Sequence, residues 1–237
     1  MIIERIQVRP TYECNDWPFS LGCVRDLCGQ GLRLSSRVTF LVGENGVGKS
    51  TLLEGIAQSF GIDIRGGHGK RRYNNAPPPQ SLAQSLHLTR GVEGRNTAGF
   101  FLRAETALGV FEYMSDRSVA GYGDVQTREL SHGEGFLQVL KAQATPHALY
   151  LLDEPEAALS FASCISLMAI LSDVVRLGGQ VICATHSPIL SAFPGASILE
   201  VTKQGIVVRE WDELNFVLDW RAFLANPHQY LQHVTPV

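Results

Sequence analysis

Long hydrophobic runs are missing from this chain. No apolar stretch in its 237 residues approaches the roughly 20 needed to cross a bilayer. The start, "MIIERIQVRP", carries Glu4, Arg5 and Arg9, so it does not read as a signal peptide. Cysteine is scarce: five residues, odd in number and without a CxxC pair. That argues against a zinc ribbon or a disulfide framework and for buried or free thiols in a reducing cytosol. Charge of one sign is also lacking. The formal net charge of −3 supplies no global field toward nucleic acid or an anionic membrane, so any such contact would be local. There is no internal repeat, and no heptad run lies between Gly61 and Leu130. What is present, 45% hydrophobic and 18% charged, suits one cytoplasmic globular domain over 1–237 with a sizeable core.

Strand and helix signals alternate, which indicates an α/β fold with a mixed sheet flanked by helices. "IIERIQV" and "RVTFLVG" read as strands, the second buried, and a helix is predicted from Lys49 to about Phe60. Residues 61–98 are expected to be a loop-like insertion, because "GIDIRGGHGKRRYNNAPPPQS" is too dense in glycine, asparagine and proline for a helix or central strand. "GFFLRAET" starts the next strand and runs into a short helical lobe over about 104–145, with a helix beginning near Gly133. "ALYLLDEPEAALS" and "QVICATHSPIL" are buried strands ending in polar residues, separated by a helix to about Leu177. "SILEV" and "GIVVREW" form a hairpin, and 211–237 is a helical extension.

Three of these strand ends carry chemistry. "GENGVGKST", comprising Gly43, Glu44, Asn45, Gly46, Val47, Gly48, Lys49, Ser50 and Thr51, fits G-x-x-x-x-G-K-[ST] between a buried strand and a helix. Its glycines let backbone N–H groups curl around a phosphate, and the helix N-terminus favours the anion. Lys49 adds a positive charge for the β- and γ-phosphates, and Ser50 a hydroxyl for Mg²⁺. "LYLLDEP" delivers Asp153 and Glu154 to the carboxyl edge of the sheet, where an aspartate can hold Mg²⁺ and a glutamate can deprotonate water. "CATHSP" brings His186 to the same edge as a donor toward a γ-phosphate. The plain alternatives are an acidic helix cap at 153–154 and a structural histidine at 186.

Together, the phosphate loop, "LSHGEG", "LYLLDEPEAALS" and "ATHSP" resemble the ABC-type ATPases over most of the chain. The likeness is closest to small stand-alone bacterial ATPases related to the recombination and chromosome-maintenance enzymes. The resemblance implies a domain that binds ATP and Mg²⁺, with Lys49, Glu154 as general base and His186 as catalytic residues, and Ser50 and Asp153 toward the metal. It makes "LSHGEG" the signature loop, whose Ser131 and Gly133 would cap the γ-phosphate held by a second subunit in an ATP-dependent homodimer. It leaves the lid position to Arg103 or Glu105, where most relatives have glutamine, and offers Trp17 or Phe19 for stacking on adenine.

Several positions depart from transporter subunits. His132 replaces a glycine, Glu134 stands where transporters generally have glutamine, and Ser160 takes the place of an aspartate. Only about 25 residues separate "FFLRAE" from "LSHGEG", a short stretch for a lobe that docks a membrane partner. The expectation is a stand-alone ATPase switch acting on a nucleic acid or protein. The alternatives are the ATP-binding subunit of a membrane transporter and a non-hydrolysing scaffold. Lys70, Arg71 and Arg72 form the one basic cluster that suggests nucleic acid, and a solvated loop is its bland reading.

Overall fold

The computed structural model describes residues 1–9, 16–64, 67–68, 81–95, 98–104, 132–142 and 145–232. A seven-stranded sheet forms its centre, in the order β10-β9-β3-β8-β7-β6-β4. The strands are β3 (Val38–Val42), β4 (Gly67–His68), β6 (Gly99–Arg103), β7 (Leu149–Asp153), β8 (Gln180–Ala184), β9 (Ser197–Val201) and β10 (Ile206–Arg209). β9, β3, β8, β7 and β6 run parallel, and the hairpin strand β10 and the short β4 close the edges antiparallel. A second, antiparallel sheet has the order β2-β1-β5, from β1 (Ile3–Val8), β2 (Leu32–Arg33) and β5 (Leu86–Arg90).

Parallel strands are covered on both faces, so they read as unbroken apolar runs. β3, β7 and β8 are buried at every position. Their alternating side chains feed two separate cores. Leu41, Leu149, Leu151 and Ile182 face α1 (Gly22–Cys28), α2 (Lys49–Phe60) and the small sheet, with Leu27, Leu53 and Ile6 in that layer. Phe40, Tyr150, Leu152 and Val181 face α4 (His132–Ala142) and α5 (Phe161–Arg176) through Phe136, Leu140, Leu167 and Leu171. Leu214 and Val217 dock the C-terminal α6 (Asn215–Ala225) on the same layer, and α7 (Pro227–Leu231) follows it.

The strands and helices that bound the polar loops fall where the sequence predicts them. The stretch 61–98 is not loop throughout: α3 (Leu82–Ser85) leads into β5, which pairs with β1 from Ile3 to Val8. Local composition favoured a loop there, and tertiary pairing overrides it. The basic cluster 70–72 lies outside the described residues. Cys23, Cys164 and Cys183 are buried free thiols, whereas Cys28 is disulfide-bonded, which corrects the expectation of unbonded cysteines.

One side chain ties the small sheet to the large one. Gln180, fully buried at the start of β8, accepts the backbone N–H groups of Ile2 (2.9 Å) and Ile3 (2.7 Å) and donates to the Ile3 carbonyl (3.0 Å). Gln180→Leu keeps the bulk but strands these groups, and each unsatisfied buried group costs about 1–3 kcal/mol. The expected loss is at least about 3 kcal/mol in urea unfolding. A midpoint equal to that of the wild type would remove this role.

Candidate active site

The polar loops begin where β3, β8 and β7 end, side by side. The ladder runs one residue past the strands: Thr185 N–H donates to the Leu41 carbonyl (3.1 Å), and Glu154 N–H to the Ala184 carbonyl (2.9 Å). The loops carrying Gly43, His186 and Glu154 are thereby fixed to one another. This is the carboxyl edge at which open α/β sheets bind ligands.

In the first loop, Glu44, Asn45 and Gly46 are exposed, while Val47 is buried and α2 starts at Lys49. Cys23 Sγ of α1 lies 3.7 Å from the Val47 carbonyl and supports the loop from below. Burial pushes that thiol up to about 11, so it stays protonated at neutral pH. Lys49, only 4% exposed, folds back over its own loop and donates to the carbonyls of Gly43 (2.9 Å) and Glu44 (2.8 Å). Burial lowers its pKa from the ordinary lysine value, and the charges of Glu154, Asp153 and Glu156 pull the other way.

Behind the loop sits Asp153, 2% exposed. Its Oδ1 accepts from the Ser50 hydroxyl (3.0 Å) and its Oδ2 from Arg103 Nε (2.7 Å). Arg103, the last residue of β6, stands opposite Asp153 in the parallel register and also pairs with Glu54 of α2. Burial would lower the Arg103 pKa, but the hydrogen bonds to Glu54 and Asp153 outweigh it and hold the value above the ordinary one.

Glu154 turns the chain out of the sheet in a left-handed conformation (φ 49°, ψ 51°) that a non-glycine residue adopts only under constraint. Its carboxylate is much more exposed than that of Asp153. Glu154 Oε1 lies 3.2 Å from His186 Nε2, at ion-pair distance but without hydrogen-bond alignment. Two residues on, Glu156 Oε1 accepts from the Thr185 hydroxyl (2.7 Å) and the His186 backbone N–H (2.5 Å). Its Oε2 is buried without a partner.

The structure therefore brings together Lys49, Ser50, Asp153, Glu154 and His186. Ser131 and Glu105 lie outside the described residues. Gly133 is in the first turn of α4 and packs on the turn after Glu154, where an added Cβ would stand 3.1 Å from the Ala158 carbonyl. Ser160 caps α5 by accepting Ser163 N–H (3.2 Å). Phe19 is buried in the core, which removes it from adenine stacking, whereas Trp17 is 73% exposed. Sequence reasoning missed Glu54 and Glu156. Glu54 was legible as the residue one helical turn after Ser50, on the same face. Glu156 gives no such signal, because its partners lie 29 and 30 residues away.

Two glycines separate packing from backbone strain. A Cβ on Gly43 (φ 140°) would stand 2.2 Å from the Val201 carbonyl oxygen, whereas Gly46 (φ 79°) has open space around it. Gly46→Ala should cost about 1–2 kcal/mol, the left-handed penalty alone. Gly43→Ala should cost at least about 3 kcal/mol, because overpacking adds to that strain. Equal losses in urea unfolding would contradict this account of the loop.

No family profile matches the chain. In sequence it is 28% identical over 171 residues to the cytochrome c biogenesis ATP-binding export protein CcmA of Salmonella typhi, covering 66% of this chain and 78% of that one. It is 30% identical over 181 residues to the hemin import ATP-binding protein HmuV of Streptomyces coelicolor, covering 67% and 62%. In fold it is similar to a metal-chelate type ABC transporter in an inward-facing conformation (TM-score 0.51, 16% identity, 94% of this chain and 90% of that one). It is also similar to the SMC head domain from Thermotoga maritima (TM-score 0.50, 15% identity, 89% and 100%). At such identities the solved structures speak to fold alone, and the sequence relatives supply the rest. The sequence relatives carry the conclusion: the chain is an ABC-type ATPase, a P-loop protein that binds and hydrolyses ATP.

Proposed function

We propose that this chain is a stand-alone nucleotide switch in which two copies sandwich ATP and hydrolysis reopens the pair. The supporting observation is the meeting of Lys49, Ser50, Asp153, Glu154 and His186 at one sheet edge. The N–H groups of Gly43 to Thr51 and the α2 N-terminus receive the phosphates, and Lys49 exchanges its two carbonyl partners for β- and γ-phosphate oxygens. Glu154, at the water-accessible end of its strand, orients the attacking water and takes its proton as that water adds in line to the γ-phosphorus. His186 Nε2, aligned with no acceptor, donates to the γ-phosphate. Ser131 and Gly133, the latter in the first turn of α4, cap the γ-phosphate of the opposite copy.

Ser50 Oγ and Asp153 Oδ1 fit Mg²⁺, since both are hard oxygens facing each other across 3.0 Å. Among the described residues no group of three or more His, Cys, Asp or Glu could hold a metal. The ion would therefore rest on these two residues, the phosphates and water, as Mg²⁺ usually does. When bound, it neutralises charge on the β- and γ-phosphates.

Departures from the transporter pattern at Glu134 and Ser160 favour the stand-alone reading, with a protein or nucleic acid as partner. The names of the two sequence relatives, an export and an import ATP-binding protein, favour a membrane-transporter subunit as the second reading. Among the described residues no helix is long and apolar enough to cross a membrane. Purification of the native complex separates the two: recovery with an integral membrane protein would replace the switch reading.

Glu154→Gln tests the chemistry. Loss of a positioned general base typically costs about 10²–10⁴-fold in rate, and hydrolysis should fall by that factor while ATP binding persists. The variant should also accumulate as an ATP-bound dimer on sizing. A variant that stays monomeric at saturating Mg-ATP contradicts the homodimer, and one that hydrolyses at the wild-type rate contradicts the role of Glu154.

A further inference from the structure

Asp153 has two carboxylate oxygens, and both are engaged: Oδ1 with the Ser50 hydroxyl and Oδ2 with Arg103. The pair is poorly screened, because the Asp153 side chain is 3% exposed. The arginine is also shared. Ser50 and Glu54 lie one turn apart on α2, and Glu54 reaches the same guanidinium that holds Asp153. The carboxylate best placed for a divalent cation is thus already neutralised by a cation of the chain, and a second acid draws on that cation from the other side.

We infer that Arg103 is a built-in competitor of the divalent cation for Asp153, and that Glu54 sets how strongly it competes. The inference rests on the ATPase reading above. A cation arriving beside Ser50 and Asp153 meets a carboxylate whose charge is compensated, and it is repelled by the guanidinium next to it. Glu54 relieves both effects by sharing the guanidinium. The arrangement compensates Asp153 without metal and makes the pocket accept Mg²⁺ only together with the phosphates, which bring their own negative charge. A purely structural tie between β6 and β7 predicts no change in metal affinity.

The competition has a sign at each residue. An opposite charge within about 4–6 Å changes a carboxylate's proton affinity by about 1–3 pK units, and the same field acts on a divalent ion. Arg103→Gln should therefore lower the Mg²⁺ concentration at half-saturation by about tenfold. Glu54→Gln should raise it, because the whole guanidinium then falls on Asp153. In the Arg103→Gln background, Glu54→Gln should lose most of its effect, since its action passes through the arginine.

The measurement is equilibrium binding of a fluorescent non-hydrolysable ATP analogue, titrated with Mg²⁺ and repeated in EDTA. The proposal expects opposite shifts in the two single variants, non-additivity in the double variant, and nearly unchanged analogue binding in EDTA. A midpoint for Arg103→Gln that is unchanged or raised overturns it. So does loss of EDTA binding in that variant, which would make Arg103 a phosphate ligand. Should Arg103→Gln not fold with Asp153 uncompensated, Glu54→Gln decides alone, because Glu54 is partly exposed; an unchanged or lowered midpoint there overturns the proposal. A wild-type protein that binds the analogue neither with Mg²⁺ nor in EDTA removes the ATPase reading and this inference with it. Normal wild-type binding with unmoved variant midpoints removes the inference alone.

Discussion

The site depends on the parallel pairing of β3, β8 and β7, continued one residue beyond β8 and β7. Those last bonds, Thr185 N–H to the Leu41 carbonyl and Glu154 N–H to the Ala184 carbonyl, decide where three loops leave the sheet. The strands have no freedom to slide. Every position is buried, and alternate side chains belong to different cores, so a one-residue slip would exchange the two layers. The register of this edge is therefore set by packing far from it.

That rigidity permits features that an unsupported loop would not keep. Glu154 holds a left-handed backbone, Lys49 is a buried cation and Asp153 a buried anion, and Glu156 leaves one buried oxygen without a partner. Each is locally unfavourable, and such features gather where a structure is shaped for a ligand. Lys49 is the clearest case. Its burial disfavours the ammonium, the nearby carboxylates support it, and two loop carbonyls satisfy its hydrogens. Because the folded pKa is lowered, the unfolded chain binds more protons between the two values, so this group's contribution to stability increases as pH rises through that window. Below that window the charged lysine is a cost to the fold, which a phosphate beside it would relieve.

Much of the site was legible in the sequence, because each of its parts is a short polar string after an apolar strand. "VTFLVGENG", "LYLLDEP" and "CATHSP" announce both the strand and its end, and the helix after Lys49 stops at Phe60 as predicted. The small sheet was not legible as a unit: β2 has two residues, and β5 follows a proline-rich stretch. Its existence depends on β1 pairing on both sides and on Gln180 reaching across 177 residues to Ile3. The pairing of Arg103 with Asp153 was hidden for a related reason. Sequence reasoning left the lid position to Arg103 or Glu105, and only the parallel register of β6 with β7 puts Arg103 beside Asp153.

Glu156 shows how the acidic turn and the histidine loop work as one body. Its single engaged oxygen binds the Thr185 hydroxyl and the His186 N–H, while Thr185 Oγ1 accepts from Ser187 N–H (3.0 Å). Ser187 Oγ then accepts from the N–H groups of Ile189 and Leu190, and Trp211 Nε1 donates to the Pro188 carbonyl (2.9 Å). The histidine loop is held at its start by the turn that carries Glu154 and at its end by the C-terminal extension. Glu154 and His186 face each other across 3.2 Å, on segments tied by a carboxylate two residues past the first. A displacement of either segment must stretch the Glu156 bonds. The separation of Glu154 and His186 is thus set by the backbone and buried polar contacts, and not by the direct contact between their side chains, which lacks hydrogen-bond alignment.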